Sequence, residues 1–141
     1  TNGKGSTSAM LANIFKESNY QVGLYTSPHL YKINERVRIN GRSIPDHRII
    51  EFINHYQKEI EALNISFFEA MTALALWYFN RKKVDVAIIF DIGDCKRLES
   101  VYYKLKDGNS YIVSIDHHPS KNDFFDFLIH RPIWPILMKK C

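Results

Sequence analysis

The chain has 141 residues, of which 45% are hydrophobic and 24% charged, and its formal net charge is +4. These values are ordinary for one soluble domain, and they exclude a disordered tail, a collagen-like fibre and a disulfide-dense miniprotein. No run approaches the roughly 20 apolar residues of a membrane-spanning helix, so we expect no membrane partner. The basic excess is spread along the chain, which leaves no clear nucleic-acid surface. Two distant cysteines, Cys95 and Cys141, indicate a reducing, cytoplasmic setting.

The amino-terminal part predicts a helix followed by a strand. Residues 1–7 are predicted as a glycine-rich loop, and helical spacing of apolar residues follows from Met10 until Asn19. Val22–Tyr25 has the short apolar character of a buried strand. Residues 26–45 are rich in turn-forming residues and are predicted to be mostly loop.

Two more helices are predicted before the next strand. Pro45 and Asp46 open the first of them. Four isoleucines are expected on one side of it: Ile49, Ile50, Ile53 and Ile60. Ser66 is predicted to cap the second helix, with Glu69 three residues later completing a capping box. That helix has so little polar surface that we expect it to be largely buried.

The rest of the chain predicts further strands of a parallel sheet. Residues 84–90 form a β-branched run typical of a central parallel strand, and 111–115 form a second apolar strand. A helix is predicted over 96–106, and no periodicity is clear from Ser120 onward. The alternation of helices and strands predicts an α/β fold. We expect a P-loop, Rossmann-like, three-layer architecture with a mostly parallel sheet of three strands and ligands at their carboxyl ends.

The segment Gly3-Lys4-Gly5-Ser6-Thr7 suits phosphate binding. Glycines let backbone amides approach phosphate oxygens, and the following helix adds further donors and a favourable dipole. Lys4 would reach the terminal phosphates, and Ser6 or Thr7 could hold a magnesium ion. The alternative is a flexible cap on an ordinary helix.

Four spaced segments carry a resemblance to a known family. They read TNGKGST at 1–7, YTSPHL at 25–30, NERVRING at 34–41 and SFFEAMTA at 66–73. With them, residues 1 to about 89 resemble the folylpolyglutamate synthase/dihydrofolate synthase family, which is related to the Mur ligases. The resemblance implies ATP-dependent ligation of glutamate to a folate through an acyl phosphate.

The same resemblance implies roles for individual residues. The implied nucleotide-binding residues are Asn2, Gly3, Lys4, Gly5, Ser6 and Thr7. Lys4 would be the catalytic contact to the ATP phosphates, while Ser6 and Ser27 would hold magnesium. Ser27, His29 and Arg36 would lie on the folate side, because the loop from Ser27 to Gly41 corresponds to the pterin-binding region.

The sequence departs from this family at the end of the central strand. The family has a magnesium-binding Glu where this chain has Phe90, which offers no oxygen ligand. From about 84 to 126 the chain instead resembles the DHH phosphoesterase family, in residues 84–94, in Arg97-Leu98 and in 115–119.

This second resemblance implies a manganese site. Asp91 and His117 would ligate the metal, and His118 would lie at the substrate phosphate. Carboxylate and imidazole suit such a metal, which activates water for attack on phosphorus. The alternative is that Asp116 caps a helix and the two histidines are ordinary surface residues.

Together these features predict a chain of two parts. Residues 1–89 are expected to be the ATP-binding part of a folylpolyglutamate synthase-like domain, and 90–141 a DHH-like segment continuing the same sheet. We expect a ligase fragment with weak or no turnover, using ATP and Mg²⁺ with folate and glutamate as substrates. The alternatives are an Mn²⁺-dependent phosphoesterase fragment and a non-catalytic, nucleotide-binding remnant.

Overall fold

Helices and strands alternate in residues 3–90, 110–116 and 127–130, which the computed structural model describes. The helices are α1 (Lys4–Glu17), α2 (Asp46–Ala62) and α3 (Phe67–Lys82), and a 3-10 helix spans Ile33–Arg36. The strands are β1 (Val22–Tyr25), β2 (Val37–Ile39), β3 (Arg42–Ser43), β4 (Val86–Phe90), β5 (Tyr111–Asp116) and β6 (Phe127–His130). In these ranges no helix has both the length and the apolar character to cross a bilayer. The helix predicted over 96–106 lies outside the described residues.

The six described strands form one sheet in the order β3-β2-β1-β4-β5-β6. The pairs β1–β4, β4–β5 and β5–β6 are parallel, whereas β2 runs antiparallel to both β1 and β3. Leu24 of β1 pairs with Ile88 of β4, which in turn pairs with Val113 of β5. The α/β fold with a mostly parallel sheet is therefore confirmed. The carboxyl ends of the parallel strands share one edge, where ligands bind in such sheets.

The sheet is covered by helices on both faces, which explains why its central strands are continuously apolar. On one face, Tyr25, Ala87 and Ile89 join the core formed with α2 and α3. On the other face, Leu24 and Ile88 pack with α1. Alternate residues of one strand thus belong to different cores, and the fold has three layers.

The start of α3 follows the predicted capping box. The Ser66 hydroxyl accepts a hydrogen bond from the Glu69 amide at 3.3 Å, and the Glu69 carboxylate accepts one from the Ser66 amide at 2.9 Å. The helix beyond it is largely buried, as predicted, with Phe79 at 0% exposure. Local hydrogen bonding and apolar composition agree here, so the position of α3 is strongly specified.

Replacing Ser66 with alanine should lower the free energy of unfolding by about 1 kcal/mol, because the Glu69 amide loses its acceptor. Urea denaturation measures this change. Ser43→Ala, at an exposed position of β3, is the control and should stay within about 0.5 kcal/mol of the parent chain. Equal losses in both variants would contradict a capping role for Ser66.

The prediction that 26–45 is mostly loop is confirmed, since 11 of these 20 residues lie outside helices and strands, but it missed a short hairpin. Strands β2 and β3 form this hairpin, and its turn residues Asn40 and Gly41 have φ of 49° and 84°. Such a turn is the usual role of Asn-Gly, but the flanking strands are too short to show alternation. The prediction of three strands was wrong, because the described residues alone form a six-stranded sheet. One of the additional strands is β6 at 127–130, a run also too short for periodicity.

The inward face of α2 also differs from the predicted isoleucine stripe. Ile49 and Ile60 pack against the core, but Ile50 and Ile53 are 57% and 42% exposed. Each helical residue turns the chain by about 100°, and buried Phe52 shifts the inward face away from Ile50. The large aromatic ring, rather than the number of isoleucines, sets which side of α2 is buried.

Candidate functional site

Helix α1 begins earlier than the sequence predicts. Lys4 is already helical, so the predicted loop over residues 1–7 is wrong from that residue onward. The Thr7 amide and hydroxyl both donate hydrogen bonds to the Gly3 carbonyl, at 2.8 and 2.9 Å, which closes the first turn. Gly3 is the N-cap with φ of 74°, a left-handed conformation that glycine adopts readily. Asn2 lies outside the described residues.

The first turn of α1 concentrates positive charge. Gly3 provides no side-chain cap, and the turn contains no acidic residue. The backbone N–H groups of a helix's first turn have no partner within the helix and carry the positive end of its dipole. The side chain of Lys4 starts from this turn and is only 6% exposed. These amides and a lysine in the same turn favour a bound anion such as phosphate.

The topology brings this helix start to the ligand-binding edge of the sheet. Helix α1 packs against β1, which follows it in the chain. The chain therefore reverses direction between them, and the start of α1 faces the carboxyl end of β1. A 14-residue helix is about 21 Å long, whereas a four-residue strand is about 13 Å. Lys4 therefore lies beyond the carboxyl end of β1, the end that Thr26 and Ser27 extend.

Two residues assigned to the folate side are in direct contact. Arg36 Nε donates a hydrogen bond to His29 Nδ1 at 2.8 Å. Since Nδ1 is the acceptor, the neutral ring carries its proton on Nε2. The Arg36 guanidinium also lies 5.5 Å from the centre of the Phe67 ring, within the range of a cation–π contact. The Thr26 amide donates to the Arg36 carbonyl at 2.9 Å, which ties this pair to the end of β1.

Glu35 is a residue that the sequence analysis left without a role. Its Oε2 accepts hydrogen bonds from the amides of Leu30 and Tyr31 at 3.0 and 3.3 Å, and its Oε1 accepts one from the Lys32 amide at 3.0 Å. The bond from Leu30 is the main reason why the pKa of Glu35 lies below its ordinary value of 4.5, and the bond from Lys32 adds to it. One carboxylate thus holds three consecutive peptide groups. The position of Glu35 inside the segment 34–41 was the available signal.

The lowered pKa of Glu35 predicts an acid-dependent contribution to stability. Its charged form is favoured in the folded state, so the contribution is fully present above the unfolded pKa, near 4.5. It is lost as the pH falls through the lower, folded pKa. The difference in unfolding free energy between the parent chain and Glu35→Gln should therefore shrink as the pH is lowered from 6 to 3, as followed by urea denaturation. Glu59→Gln, at an exposed site of α2, should show a smaller pH dependence, and equal curves would contradict the prediction.

The structure describes the residues of the predicted magnesium site but not those of the predicted manganese site. Ser6 and Ser27 offer neutral hydroxyl oxygens, which fit magnesium only together with stronger ligands such as phosphate oxygens. In the part of the chain that the structure describes, no group of three or more His, Cys, Asp or Glu residues could hold a metal ion. Asp91, His117 and His118 lie outside the described residues, so the manganese site stays a prediction.

Two curated relatives show what the chain is similar to in sequence. No family model matches the chain. A probable bifunctional folylpolyglutamate synthase/dihydropteroate synthase of Haloferax volcanii is 45% identical over 94 residues, which are 63% of this chain and 11% of that protein. A dihydrofolate synthase/folylpolyglutamate synthase of Buchnera aphidicola is 38% identical over 120 residues, with 83% and 28% covered. An alignment covering 83% of the chain necessarily extends beyond residue 89.

Two solved folylpolyglutamate synthase structures have a similar fold. The folylpolyglutamate synthetase from Lactobacillus casei has a TM-score of 0.55 and 27% identity, over 84% of this chain and 37% of that one. A folylpolyglutamate synthase in complex with the ATP analogue AMPPCP and folate has a TM-score of 0.56 and 25% identity, over 84% and 38%. The chain spans less than a third of the length of the two curated relatives. Over most of its own length, it is similar in sequence and fold to part of the folylpolyglutamate and dihydrofolate synthases.

Proposed function

We propose that the chain is the nucleotide-binding part of a folylpolyglutamate/dihydrofolate synthase, an ATP-dependent ligase that joins glutamate to a folate. The observation that carries this proposal is the start of α1, where the 6%-exposed Lys4 side chain accompanies a glycine N-cap. This is the arrangement that a nucleotide's terminal phosphates require. Homology to ligases of this name and the solved AMPPCP–folate complex support the same assignment.

The residues around Lys4 would serve the phosphoryl transfer. A carboxylate of the folate attacks the γ-phosphorus of ATP, ADP leaves, and the glutamate amine then displaces phosphate from the resulting acyl phosphate. Lys4 and the first-turn amides of α1 would hold the γ-phosphate in place and stabilise its transition-state charge. The hydroxyls of Ser6 and Ser27 would contribute oxygen ligands to magnesium brought in with the nucleotide. Magnesium would neutralise part of the phosphate charge.

The segment after β1 would bind the folate. Ser27 follows the carboxyl end of β1, and the hydrogen-bonded pair His29 and Arg36 comes after it in the chain. The pair offers a ring N–H and a guanidinium, both of which can donate to carbonyl or carboxylate oxygens. Leu30 and Tyr31, which are 91% and 93% exposed, offer apolar surface beside these donors.

We further propose that this chain turns over weakly or not at all by itself. Phe90 stands where the family has a magnesium carboxylate, and metal-assisted catalysis needs its ligands in fixed geometry. The division into residues 1–89 and 90–141, the DHH-like character of the second part and its use of Mn²⁺ stay predictions.

A thermal melt with and without ligands tests the nucleotide site. Magnesium-ATP at about 100 times its Kd should stabilise the folded chain by about 2.7 kcal/mol and raise the midpoint of unfolding. Manganese alone should leave the midpoint unchanged. A shift with manganese alone would favour the phosphoesterase alternative at Asp91 and His117. A cooperative melt that neither ligand shifts would contradict nucleotide binding.

A further inference from the structure

The segment 28–32 is held from two sides by neighbouring residues of the 3-10 helix. Glu35 accepts hydrogen bonds from the amides of Leu30, Tyr31 and Lys32. Arg36, the next residue, binds the side chain of His29 through its Nε. The backbone of the segment and one of its side chains are thus fixed independently of any ligand.

The same segment exposes two large apolar side chains. Leu30 is 91% exposed and Tyr31 is 93% exposed. Adjacent apolar side chains in water gain nothing from folding unless another molecule covers them. Their backbone, however, is fixed by charged hydrogen bonds, which are about twice as strong as neutral ones. A fixed backbone carrying uncovered apolar groups is suited to binding, because little conformational entropy remains to be lost when the ligand arrives.

From this arrangement we propose that Glu35 is a positioning residue for the folate site. It need not touch the ligand: its carboxylate fixes the backbone that presents His29, Leu30 and Tyr31. The inference rests on the proposed function, since the ligand is taken to be a folate. It adds that the affinity for folate, but not the affinity for nucleotide, depends on the Glu35 carboxylate.

The geometry explains why a glutamine cannot replace Glu35. Two of the three amides share Oε2, and the third binds Oε1. A glutamine side chain has the same length but only one oxygen, so its NH₂ group must face at least one backbone N–H. Two donors then oppose each other, and the segment loses its fixed conformation.

Glu35→Gln, compared with Glu59→Gln, tests the proposal in the full chain. Amide hydrogen exchange should become at least tenfold faster at residues 30–32 in Glu35→Gln and stay unchanged there in Glu59→Gln. Folate affinity, measured by calorimetry, should fall at least tenfold only in Glu35→Gln. The midpoint shift caused by magnesium-ATP should be the same in both variants and in the parent chain, which a general loss of structure would not allow.

The results separate this inference from the proposed function. Unchanged exchange at residues 30–32 in Glu35→Gln would overturn the role of Glu35, and so would faster exchange with unchanged folate affinity. A parent chain that binds magnesium-ATP but no folate would contradict the proposed folate site and the inference with it. This outcome differs from a failure of the Glu35 inference alone, because it is seen in the parent chain without any substitution.

Discussion

The Lys4→Met variant should lose about half or more of the stabilisation that magnesium-ATP gives the parent chain. Methionine keeps the length of the side chain and its apolar stem but removes the ammonium group. Hydrogen bonds to charged groups contribute about 1.5–3 kcal/mol each. Loss of one such bond weakens nucleotide binding by about 10- to 150-fold, at about 1.4 kcal/mol per factor of ten. At about 100 times the parent's Kd, the stabilisation by magnesium-ATP should fall from about 2.7 kcal/mol to between about 0.3 and 1.4 kcal/mol, with a correspondingly smaller rise in the unfolding midpoint.

A second lysine on the same helix provides the control. Lys16 lies in the last turn of α1 and is exposed, so Lys16→Met changes the net charge equally without touching the helix start. It should keep the full shift with magnesium-ATP. Melts of both variants without nucleotide show whether the substitutions alter folding itself. If both variants kept the shift, or both lost it, Lys4 would not be a specific phosphate contact.

The elements that the sequence predicted well are those with strong local signals. Ser66 and Glu69 satisfy each other's backbone groups within one turn, so the beginning of α3 needs no information from elsewhere. Strand β4 is a run of β-branched and apolar residues that suits only a buried position between other strands. The alternation of helices and strands along the sequence also predicted which edge of the sheet carries the candidate site.

The features that the sequence missed depend on contacts between separate segments. Helix α1 begins at Lys4 because Gly3 takes a left-handed conformation and its carbonyl accepts from Thr7. Glycine-rich composition alone suggests a loop there. The role of Glu35 depends on how the 3-10 helix folds back on residues 30–32, and no periodicity shows it. The resemblance pointed to the segment 34–41, whereas the contacts of Glu35 are seen only in the structure.

Gly23→Ala should lower the free energy of unfolding, because the added methyl group has no room. A Cβ at Gly23 would lie 2.7 Å from Cγ and Cδ1 of the Phe79 ring. Phe79 is 0% exposed in the core between β1 and α3, and the neighbours of Gly23 in the sheet are Ala87 and Ile39. The ring therefore has no solvent side toward which to move. Such overpacking costs about 1–3 kcal/mol, which exceeds the gain of about 0.4–1 kcal/mol from a less flexible unfolded chain.

Gly5→Ala is the matched substitution, since a Cβ at Gly5 would meet no atom within 4 Å. At this helical position alanine should be neutral or stabilise by up to about 1 kcal/mol. In urea denaturation, Gly23→Ala should lower the free energy of unfolding, whereas Gly5→Ala should leave it unchanged or raise it.

Phe79→Leu provides a second test, because a smaller side chain makes room for the new methyl group. If the clash is the cause, Gly23→Ala should cost less in the Phe79→Leu background than in the parent chain. An equal cost in both backgrounds would show that the close contact with Phe79 is not what requires glycine at this position.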